Sequence, residues 1–283
     1  MRAKLRDILR QGEIVLKERQ IEDYRIDAYC ILNKHFGATR AQILVSGEEE
    51  YPDEMVLGYW EDIRARGDRK PLQHILGNWE FMGLEFIVSP DVLIPRPETE
   101  WLVEYVMEHY KDRPVKVLDL CTGSGCIGIA IKKMLPEAEV MLVDVSELAL
   151  KVAKSNAEAL KAEVKIEKWD ILQGVPFFME KMEFDVIVSN PPYIKTKDLP
   201  TLRPEVQQEP VIALDGGCDG LLYYRALAKD WAKLLKEGGE LIVEAGEDTA
   251  EGVQGIFAEA FPEATLYRDL AGLPRYVVAK NNK

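Results

Sequence analysis

The residues with the clearest chemical potential form a turn near the middle of the chain: Asn190, Pro191, Pro192 and Tyr193. They follow Phe184–Ser189, an apolar run typical of a strand that is buried on both faces. Proline lacks a backbone N–H and has a restricted φ, so the strand must end there. The turn therefore lies at the carboxyl end of a strand, where open α/β sheets bind ligands. An amide, a stiff diproline and an aromatic ring together suit a planar group that carries NH2.

Asn190, Pro191 and Tyr193 are the predicted catalytic residues of this turn. The nitrogen of an amide or of a base amine is a poor nucleophile, because its lone pair is delocalised. The Asn190 side-chain oxygen and the Pro191 carbonyl can accept both of its N–H bonds and aim the lone pair at a methyl donor. They also favour the positive charge that develops on nitrogen. Pro192 completes the predicted substrate clamp, and Tyr193 can stack on the planar group.

A glycine-rich turn supplies the second candidate site, because glycine lets the backbone approach a ligand closely. Its Gly-x-Gly-x-x-Gly spacing also fits a dinucleotide turn, so the motif alone leaves NAD and S-adenosyl-L-methionine open. Asp119 favours S-adenosyl-L-methionine, since a carboxylate suits an ammonium group and would repel a pyrophosphate. Asp144, which ends the next predicted strand, can hold ribose hydroxyls. The cofactor residues expected at the turn are Asp119, Cys121, Thr122, Gly123, Ser124 and Gly125.

The chain divides into three stretches of different pattern, predicted as domains 1–70, 71–94 and 95–283. The first has apolar positions at helical spacing and is predicted to be a small helical, substrate-docking domain. In the second, Ile75-Leu76-Gly77 and Leu84–Val88 flank a Met82-Gly83 turn, which predicts a β-hairpin linker. In the third, strands and helices alternate, which predicts a parallel sheet covered by helices.

We therefore predict an α/β fold, a Rossmann-like S-adenosylmethionine-dependent methyltransferase domain with a small N-terminal helical domain and a β-hairpin linker. The predicted strands are Val115–Leu120, Val140–Val143, Val164–Glu167, Phe184–Ser189 and Glu240–Glu244, with helices at Ile127–Met134 and Leu148–Leu160 and a closing hairpin from Ala264–Tyr267 and Arg275–Ala279.

The composition is that of a globular protein, with 283 residues of which 47% are hydrophobic and 30% charged. No apolar stretch reaches the length of a membrane span and the first residues do not resemble a signal peptide, so a cytoplasmic protein without a membrane partner is expected. The four cysteines and three histidines show no metal-ligand spacing, so no metal is expected. The net charge of −13 argues against broad nucleic-acid binding.

One short basic stretch, formed by Arg64, Arg66, Arg69 and Lys70, runs against the acidic balance. A solvated helix end is the favoured interpretation, and a docking patch for a partner is the alternative.

Together these motifs resemble the HemK-type family, the protein-(glutamine-N5) methyltransferases that modify peptide chain release factors. Asn-Pro-Pro-Tyr also occurs in adenine-N6 DNA methyltransferases, so the Pro-Arg-Pro-Glu-Thr segment at Pro95–Thr99 is the sharpest discriminator. The other matching segments are Pro71–Gly77, Glu80-Phe81, Val92–Glu100, Glu209-Pro210, Ala213–Gly217 and Asp219–Leu221.

The resemblance implies methyl transfer from S-adenosyl-L-methionine to the glutamine N5 in the Gly-Gly-Gln loop of release factors, with the N-terminal domain helping to hold the protein. Release factors are the expected partners, and no direct nucleic-acid contact is expected. It places cofactor contacts on Cys121 through Gly125, Asp144 for ribose, Asp170 and Ile171 for adenine, and Asn190 for both ligands. Trp169 is an alternative adenine contact. For Arg96, Glu98 and Thr99, a buried latch and a direct cofactor-side wall are both open.

Four alternatives remain at this point. An adenine-N6 nucleic-acid methyltransferase would use the same Asn-Pro-Pro-Tyr tetrad, but the acidic balance of the catalytic half opposes binding to a phosphate backbone. A ribosomal-protein glutamine could be the target of the same chemistry. A non-catalytic S-adenosylmethionine-binding module and a dehydrogenase remain possible on the glycine motif alone.

Overall fold

The computed structural model describes residues 2–46 and 49–282 and divides into two compact units. The N-terminal unit comprises the described residues up to Asn78 together with Arg203–Gln208. The sheet unit comprises Trp79–Leu202 and the described residues from Glu209 onward. The domain limits 1–70, 71–94 and 95–283 and the docking role of the first domain remain predictions.

The N-terminal unit is helical, as its apolar spacing predicts. Leu5, Ile8 and Leu16 recur on one buried face of its first helix. The third helix begins with a capping box, in which Thr39 and Gln42 satisfy each other's backbone N–H groups. The helices are α1 (Leu5–Glu18), α2 (Tyr24–Phe36), α3 (Arg40–Val45), α4 (Asp53–Gly67) and α5 (Leu72–Leu76), and the short antiparallel strands are β1 (Arg2–Ala3) and β2 (Glu49–Glu50).

The helix α5 corrects the prediction that Ile75-Leu76-Gly77 begins a strand. Pro71 precedes this helix with an extended backbone, and Gly77 ends it with a φ of 81°, a left-handed value that favours glycine. The predicted hairpin does form around Met82-Gly83, from β3 (Asn78–Phe81) and β4 (Leu84–Ile87). The apolar run was assigned to the wrong element because short helices and strands share such runs.

Arg66 in the basic stretch belongs neither to a solvated helix end nor to an exposed docking patch. Arg66 is buried, its Nε lies 2.6 Å from Asp27 Oδ2, and its Nη1 lies 3.1 Å from Glu205 Oε1. Arg69 Nη1 also reaches Glu205, at 3.3 Å. Arg64 remains exposed. The stretch therefore contains a buried arginine, Arg66, whose ion pairs hold parts of the N-terminal unit together.

The sheet unit is built on seven strands in the order β10-β11-β9-β8-β5-β6-β7. Within it, β11 runs antiparallel to both of its neighbours, and the other pairings are parallel. The strands are β5 (Lys116–Leu120), β6 (Glu139–Asp144), β7 (Lys165–Lys168), β8 (Phe184–Ser189), β9 (Leu235–Glu244), β10 (Glu263–Arg268) and β11 (Pro274–Lys280).

Helices cover both faces of this sheet. Alternate residues of one strand serve the two cores: Val117 belongs to the core under the first group of helices, whereas Leu118 belongs to the core on the opposite face. The helices on the first face are α6 (Glu100–Tyr110), α7 (Cys126–Met134) and α8 (Glu147–Ala159), and those on the second are α9 (Leu222–Lys229) and α10 (Ala250–Ala260). The predicted α/β, Rossmann-like fold is confirmed.

The strand order reverses between β5 and β8, whose neighbours β6 and β9 lie on opposite sides. Loops that leave two such strands diverge and open a crevice at their carboxyl ends. The glycine turn follows β5 and the Asn-Pro-Pro-Tyr turn follows β8. The topology therefore brings the two predicted sites to one edge of the sheet.

Two kinds of site are absent from the described residues. No described helix has the length and apolar character needed to cross a bilayer. Histidine, cysteine and acidic side chains nowhere in the described ranges gather into a group of three that could hold a metal ion.

Candidate active site

A cleft opens at this edge of the sheet unit. Most of the predicted site residues line it, whereas Asp119, Gly125, Pro191 and Tyr193 are not among the lining residues. The predicted residues on the wall are Cys121, Thr122, Gly123, Ser124, Asp144, Asp170, Ile171, Asn190 and Pro192, and Trp169, Arg96 and Thr99 join them.

The glycine turn bends sharply as it leaves β5. Cys121, Gly123 and Gly125 have φ values of 59°, 56° and 81°, in the left-handed region that favours glycine. A Cβ on Gly125 would lie 2.7 Å from Ile129 Cδ1 in a residue whose φ of 81° strains any side chain. A Cβ on Gly123 would meet nothing within 4 Å. The turn thus presents bare backbone to the cleft.

Asp119 supports this turn from behind. Its side chain is fully buried, and its Oδ2 accepts hydrogen bonds from the Thr122 hydroxyl at 2.6 Å and the Gly128 N–H at 2.9 Å. Burial raises the pKa of Asp119 to about 7, and these two hydrogen bonds oppose the rise. Its position gives no support to a direct contact with a cofactor ammonium group, which stays a prediction.

Asp144 lies on the cleft where β6 ends. One carboxylate oxygen accepts the N–H of Gly123 and the other accepts that of Ser146, each at 2.9 Å. Burial raises the pKa of Asp144, while these backbone hydrogen bonds lower it. The two bonds fix the carboxylate in the orientation that a diol could reach from the cleft.

The far wall is formed by Trp169, Asp170 and Ile171 together. The Trp169 indole is fixed by a hydrogen bond from Nε1 to the Gly174 carbonyl, 2.8 Å away. Asp170 caps the short 3₁₀ turn that follows, since its Oδ1 accepts the N–H of Leu172 at 2.9 Å. All three candidates for the adenine contact therefore lie on one wall.

Asn190 reaches the cleft with a defined orientation. Its Nδ2 donates a hydrogen bond to Thr99 Oγ1, 3.1 Å away. Asn190 Oδ1 has no hydrogen-bond partner within residues 2–46 and 49–282 and remains available as an acceptor. This is the polarity that a bound NH2 group requires.

Glu244, at the end of β9, is linked to both ends of the Asn190–Tyr193 tetrad, to Asn190 through Thr99 and to Tyr193 directly. Its Oε2 accepts the Thr99 hydroxyl at 2.7 Å, and its Oε1 accepts the Tyr193 hydroxyl at 3.4 Å. Glu244 is almost fully buried. Burial raises its pKa, and the bond from Thr99 and the charge of Arg275 oppose that rise. Burial and Glu244 also raise the pKa of Tyr193, which therefore stays a protonated donor.

Two glycines allow the chain to pack against the diproline turn. A Cβ on Gly216 would lie 2.7 Å from Tyr193 Cα and 2.8 Å from the Pro192 carbonyl oxygen. A Cβ on Gly220 would lie 2.5 Å from the Tyr193 carbonyl oxygen. Ile194 exchanges backbone hydrogen bonds with this loop, to Leu214 O and from Gly216 N. The segment 214–220 thus packs against the backbone that leaves the Asn-Pro-Pro-Tyr turn.

Arg96 and Thr99 of the Pro-Arg-Pro-Glu-Thr segment line the cleft and bond to buried carboxylates, while the role of the segment as a latch or as a cofactor-side wall stays a prediction. Arg96 lines the cleft and forms an ion pair with buried Glu209, whose other oxygen accepts the Ile94 N–H at 2.9 Å. Thr99 also lines the cleft and is tied to Glu244. Glu98 is exposed, and its carbonyl accepts the Tyr276 hydroxyl.

Comparison with known proteins identifies the family. The model of the methyltransferase small domain matches residues 97–208, and that of the PrmC N-terminal domain matches residues 7–77. A release factor glutamine methyltransferase from Clostridium acetobutylicum is 40% identical over 98% of each chain. One from Geobacter sulfurreducens is 38% identical over 96% of this chain and 95% of its own. The chain belongs to the release factor glutamine methyltransferase family. The resemblance found in the sequence is thereby confirmed.

A more distant structure shares the fold of this release factor glutamine methyltransferase family member. The methyltransferase from Pyrococcus furiosus is 18% identical, covers 71% of this chain and 89% of its own, and has a TM-score of 0.53.

The charged side chains that line the cleft of this family member are mostly acidic. Asp91, Asp144 and Asp170 line it, with Arg96 as the cationic side chain among the lining residues described. Since Arg96 is already paired with Glu209, the field favours a ligand with net positive charge. A pyrophosphate would meet repulsion there.

Sequence reasoning missed several residues of the release factor glutamine methyltransferase site. Glu244 could have been found, because it ends a predicted strand as Asp144 does. Tyr223 and Ile212 line the cleft from loops and helices with no local signal. Asn156 lies inside α8 and supports the turn through Ser124, and nothing in its helix distinguishes it.

Proposed function

We propose that this protein transfers a methyl group from S-adenosyl-L-methionine to the side-chain N5 of the glutamine in the Gly-Gly-Gln loop of peptide chain release factors. The orientation of Asn190 carries the chemistry, because its Nδ2 is engaged by Thr99 and its Oδ1 is left for a substrate N–H. Membership of the family over nearly the whole chain supports the choice of substrate. We place the reaction in the cytoplasm, where translation ends.

The residues of the cleft fit S-adenosyl-L-methionine. The bare backbone at Gly123 leaves room for close approach, and the acidic lining suits a cationic ligand. We assign the ribose to Asp144 and the adenine to the wall formed by Trp169, Asp170 and Ile171. When bound, this cofactor supplies an electrophilic methyl group on a sulfonium.

The tetrad would hold the glutamine side chain. Asn190 Oδ1 accepts one N–H of its amide and the Pro191 carbonyl accepts the other, so that the nitrogen lone pair is aimed along one direction. Both acceptors favour the positive charge that develops on nitrogen. The Tyr193 ring covers the planar amide and excludes water. No general base is required before the methyl group moves.

The direct test uses the full chain, S-adenosyl-L-methionine labelled in its methyl group and a purified bacterial release factor. We expect one methyl on the Gly-Gly-Gln glutamine by tandem mass spectrometry. A release factor with that glutamine replaced by alanine and the Asn190→Ala enzyme are the controls, and neither reaction should give label. Label on an adenine-containing duplex or on ribosomal protein, with none on release factor, would overturn the proposal.

The cofactor assignment is tested by binding. Asp144→Ala should weaken S-adenosyl-L-methionine binding by tenfold or more in calorimetry, since a charged acceptor is worth about 1.5–3 kcal/mol. Glu147→Ala, an exposed acid three residues further on, is the matched control and should bind as the wild type does. An unchanged dissociation constant for Asp144→Ala would contradict the assignment.

A further inference from the structure

We propose that Glu244 is a positioning residue that fixes the side-chain amide of Asn190 through the hydroxyl of Thr99. The inference rests on the proposed function, because the orientation matters only if Asn190 receives an N–H of the substrate.

The direction of the hydrogen bonds carries the inference. Thr99 Oγ1 lies between the two groups, 2.7 Å from Glu244 Oε2 and 3.1 Å from Asn190 Nδ2. A threonine hydroxyl has a single proton, and a carboxylate oxygen accepts but does not donate. Thr99 therefore gives its proton to Glu244 and has only lone pairs to offer Asn190. The end of the amide that faces Thr99 must be NH2.

The consequence lies at the other end of the amide. With NH2 facing Thr99, the carbonyl oxygen of Asn190 faces the cleft. The reversed amide would present two donors to a substrate amide nitrogen whose own N–H bonds need acceptors. A glutamine bound against the reversed amide would lose the hydrogen bond that aims its lone pair. Glu244 thus acts on turnover without touching the substrate.

The burial of Thr99 and Glu244 makes the orientation durable. Thr99 and Glu244 are 2% and 1% exposed, so water does not compete for their hydrogen bond. Both carboxylate oxygens serve as acceptors, since Oε1 faces the Tyr193 hydroxyl at 3.4 Å. Thr99 and Glu244 are 145 residues apart in the chain, and they come from the two ends of the sheet unit's sequence.

The kinetic test compares Thr99→Val, Glu244→Gln and the double variant on release factor. We expect Thr99→Val to lower kcat roughly 10- to 100-fold, because the amide can then reverse. The KM for release factor and the dissociation constant of S-adenosyl-L-methionine should change less than about threefold. Glu244→Gln should also lower kcat, and the double variant should be no worse than Thr99→Val alone, since the two residues act in series.

Two further variants separate positioning from packing. Thr99→Ser keeps the hydroxyl and should recover most of the lost kcat. Thr249→Val is the matched control, because Thr249 is also buried, at 3% exposure, and its hydroxyl donates to the Gly246 carbonyl at 3.1 Å. It should keep kcat within about twofold of the wild type. Equal kcat losses in Thr249→Val and Thr99→Val, or no recovery in Thr99→Ser, would overturn the inference.

A readout without substrate separates this inference from the proposed function. In ¹⁵N-labelled wild-type enzyme, the Asn190 side-chain NH2 should exchange slowly with solvent, and Thr99→Val and Glu244→Gln should accelerate that exchange about tenfold. Fast exchange of the Asn190 NH2 in the wild type would overturn the positioning role of Glu244, whatever the enzyme methylates. Slow exchange in an enzyme that does not methylate release factor would overturn the proposed function and leave the positioning role standing. Full kcat in folded Thr99→Val would overturn the positioning role alone.

Discussion

The side chain of Asn156 pairs with the backbone of Ile87 as a neighbouring strand would. Its Oδ1 accepts the Ile87 N–H at 2.7 Å, and its Nδ2 donates to the Ile87 carbonyl at 3.1 Å. The same Nδ2 donates to the Ser124 carbonyl at 2.9 Å. Asn156 is fully buried within α8. A single amide therefore joins the hairpin strand β4, a helix of the sheet unit and the glycine turn.

Asn156→Ala should lower the free energy of unfolding by about 2–4 kcal/mol, because buried backbone groups of Ile87 and Ser124 lose their partners. The glycine turn loses a support as well, so, with the cofactor on this turn as proposed, S-adenosyl-L-methionine binding should weaken several-fold. Urea denaturation and calorimetry measure the two effects. Ser155→Ala is the control on the same helix, since Ser155 is exposed, and it should change stability by less than about 0.5 kcal/mol. Equal stability of the two variants would contradict this role.

Local patterns predicted the parts of the site that follow directly from strand ends. Cys121, Asp144 and Asn190 each come after a buried parallel strand, so the sheet brings them to one cleft. The predicted β8 matches the observed strand, and the other strands of the sheet differ by a few residues at their ends, except for β9, which begins five residues early. The glycine turn and the tetrad were predictable because each is a short-range break in an apolar run.

The supporting contacts could not be predicted, because they join residues that are far apart in the chain. Asn156 is 69 residues from Ile87, Glu209 is 113 residues from Arg96, and Thr99 is 145 residues from Glu244. The spacing of apolar residues along the sequence carries no information about such distant partners. Asp119 is a different case: its place before the turn predicts a ligand contact, which stays a prediction, whereas its buried hydrogen bonds to Thr122 and Gly128 had no signal in the sequence.

The buried ion pairs of Arg66 predict a large effect in the N-terminal unit. Arg66→Met leaves the carboxylates of Asp27 and Glu205 without their shared cation, and breaking a buried pair on one side costs about 3–5 kcal/mol. Arg64→Met removes an exposed arginine from the same helix and should cost less than about 0.5 kcal/mol. Urea denaturation followed by circular dichroism compares the two variants. Similar losses of stability in both variants would show that the ion pairs of Arg66 stabilise the N-terminal unit no more than an exposed arginine does.

Gly216 should be required for the shape of the diproline turn. Gly216→Ala puts a Cβ against the backbone of Tyr193 and Pro192, which cannot rotate away as a side chain can. We expect a loss of about 1–3 kcal/mol in stability and a lower kcat on release factor, because the tetrad must shift. Gly255→Ala is the control: its Cβ meets nothing within 4 Å inside α10, and it should stabilise the protein by about 0.5–1 kcal/mol. Unchanged kcat in Gly216→Ala would refute the close packing.

Asp119 should make stability depend on pH in a direction opposite to that of an ion-paired acid. Burial raises its pKa in the folded protein from 3.8 to about 7, so between these values the folded state keeps a proton that the unfolded state has released. Wild-type stability then falls by about 1.4 kcal/mol for each pH unit of that window on account of this group. Asp119→Asn cannot titrate, so its stability relative to wild type should rise from pH 4 to pH 7 and stay level above. Glu147→Gln is the contrasting control, because the hydrogen bond from Lys168 lowers the pKa of Glu147, and its relative stability should fall with pH instead. Parallel profiles for wild type and Asp119→Asn, measured by urea denaturation, would show that Asp119 is ionised throughout.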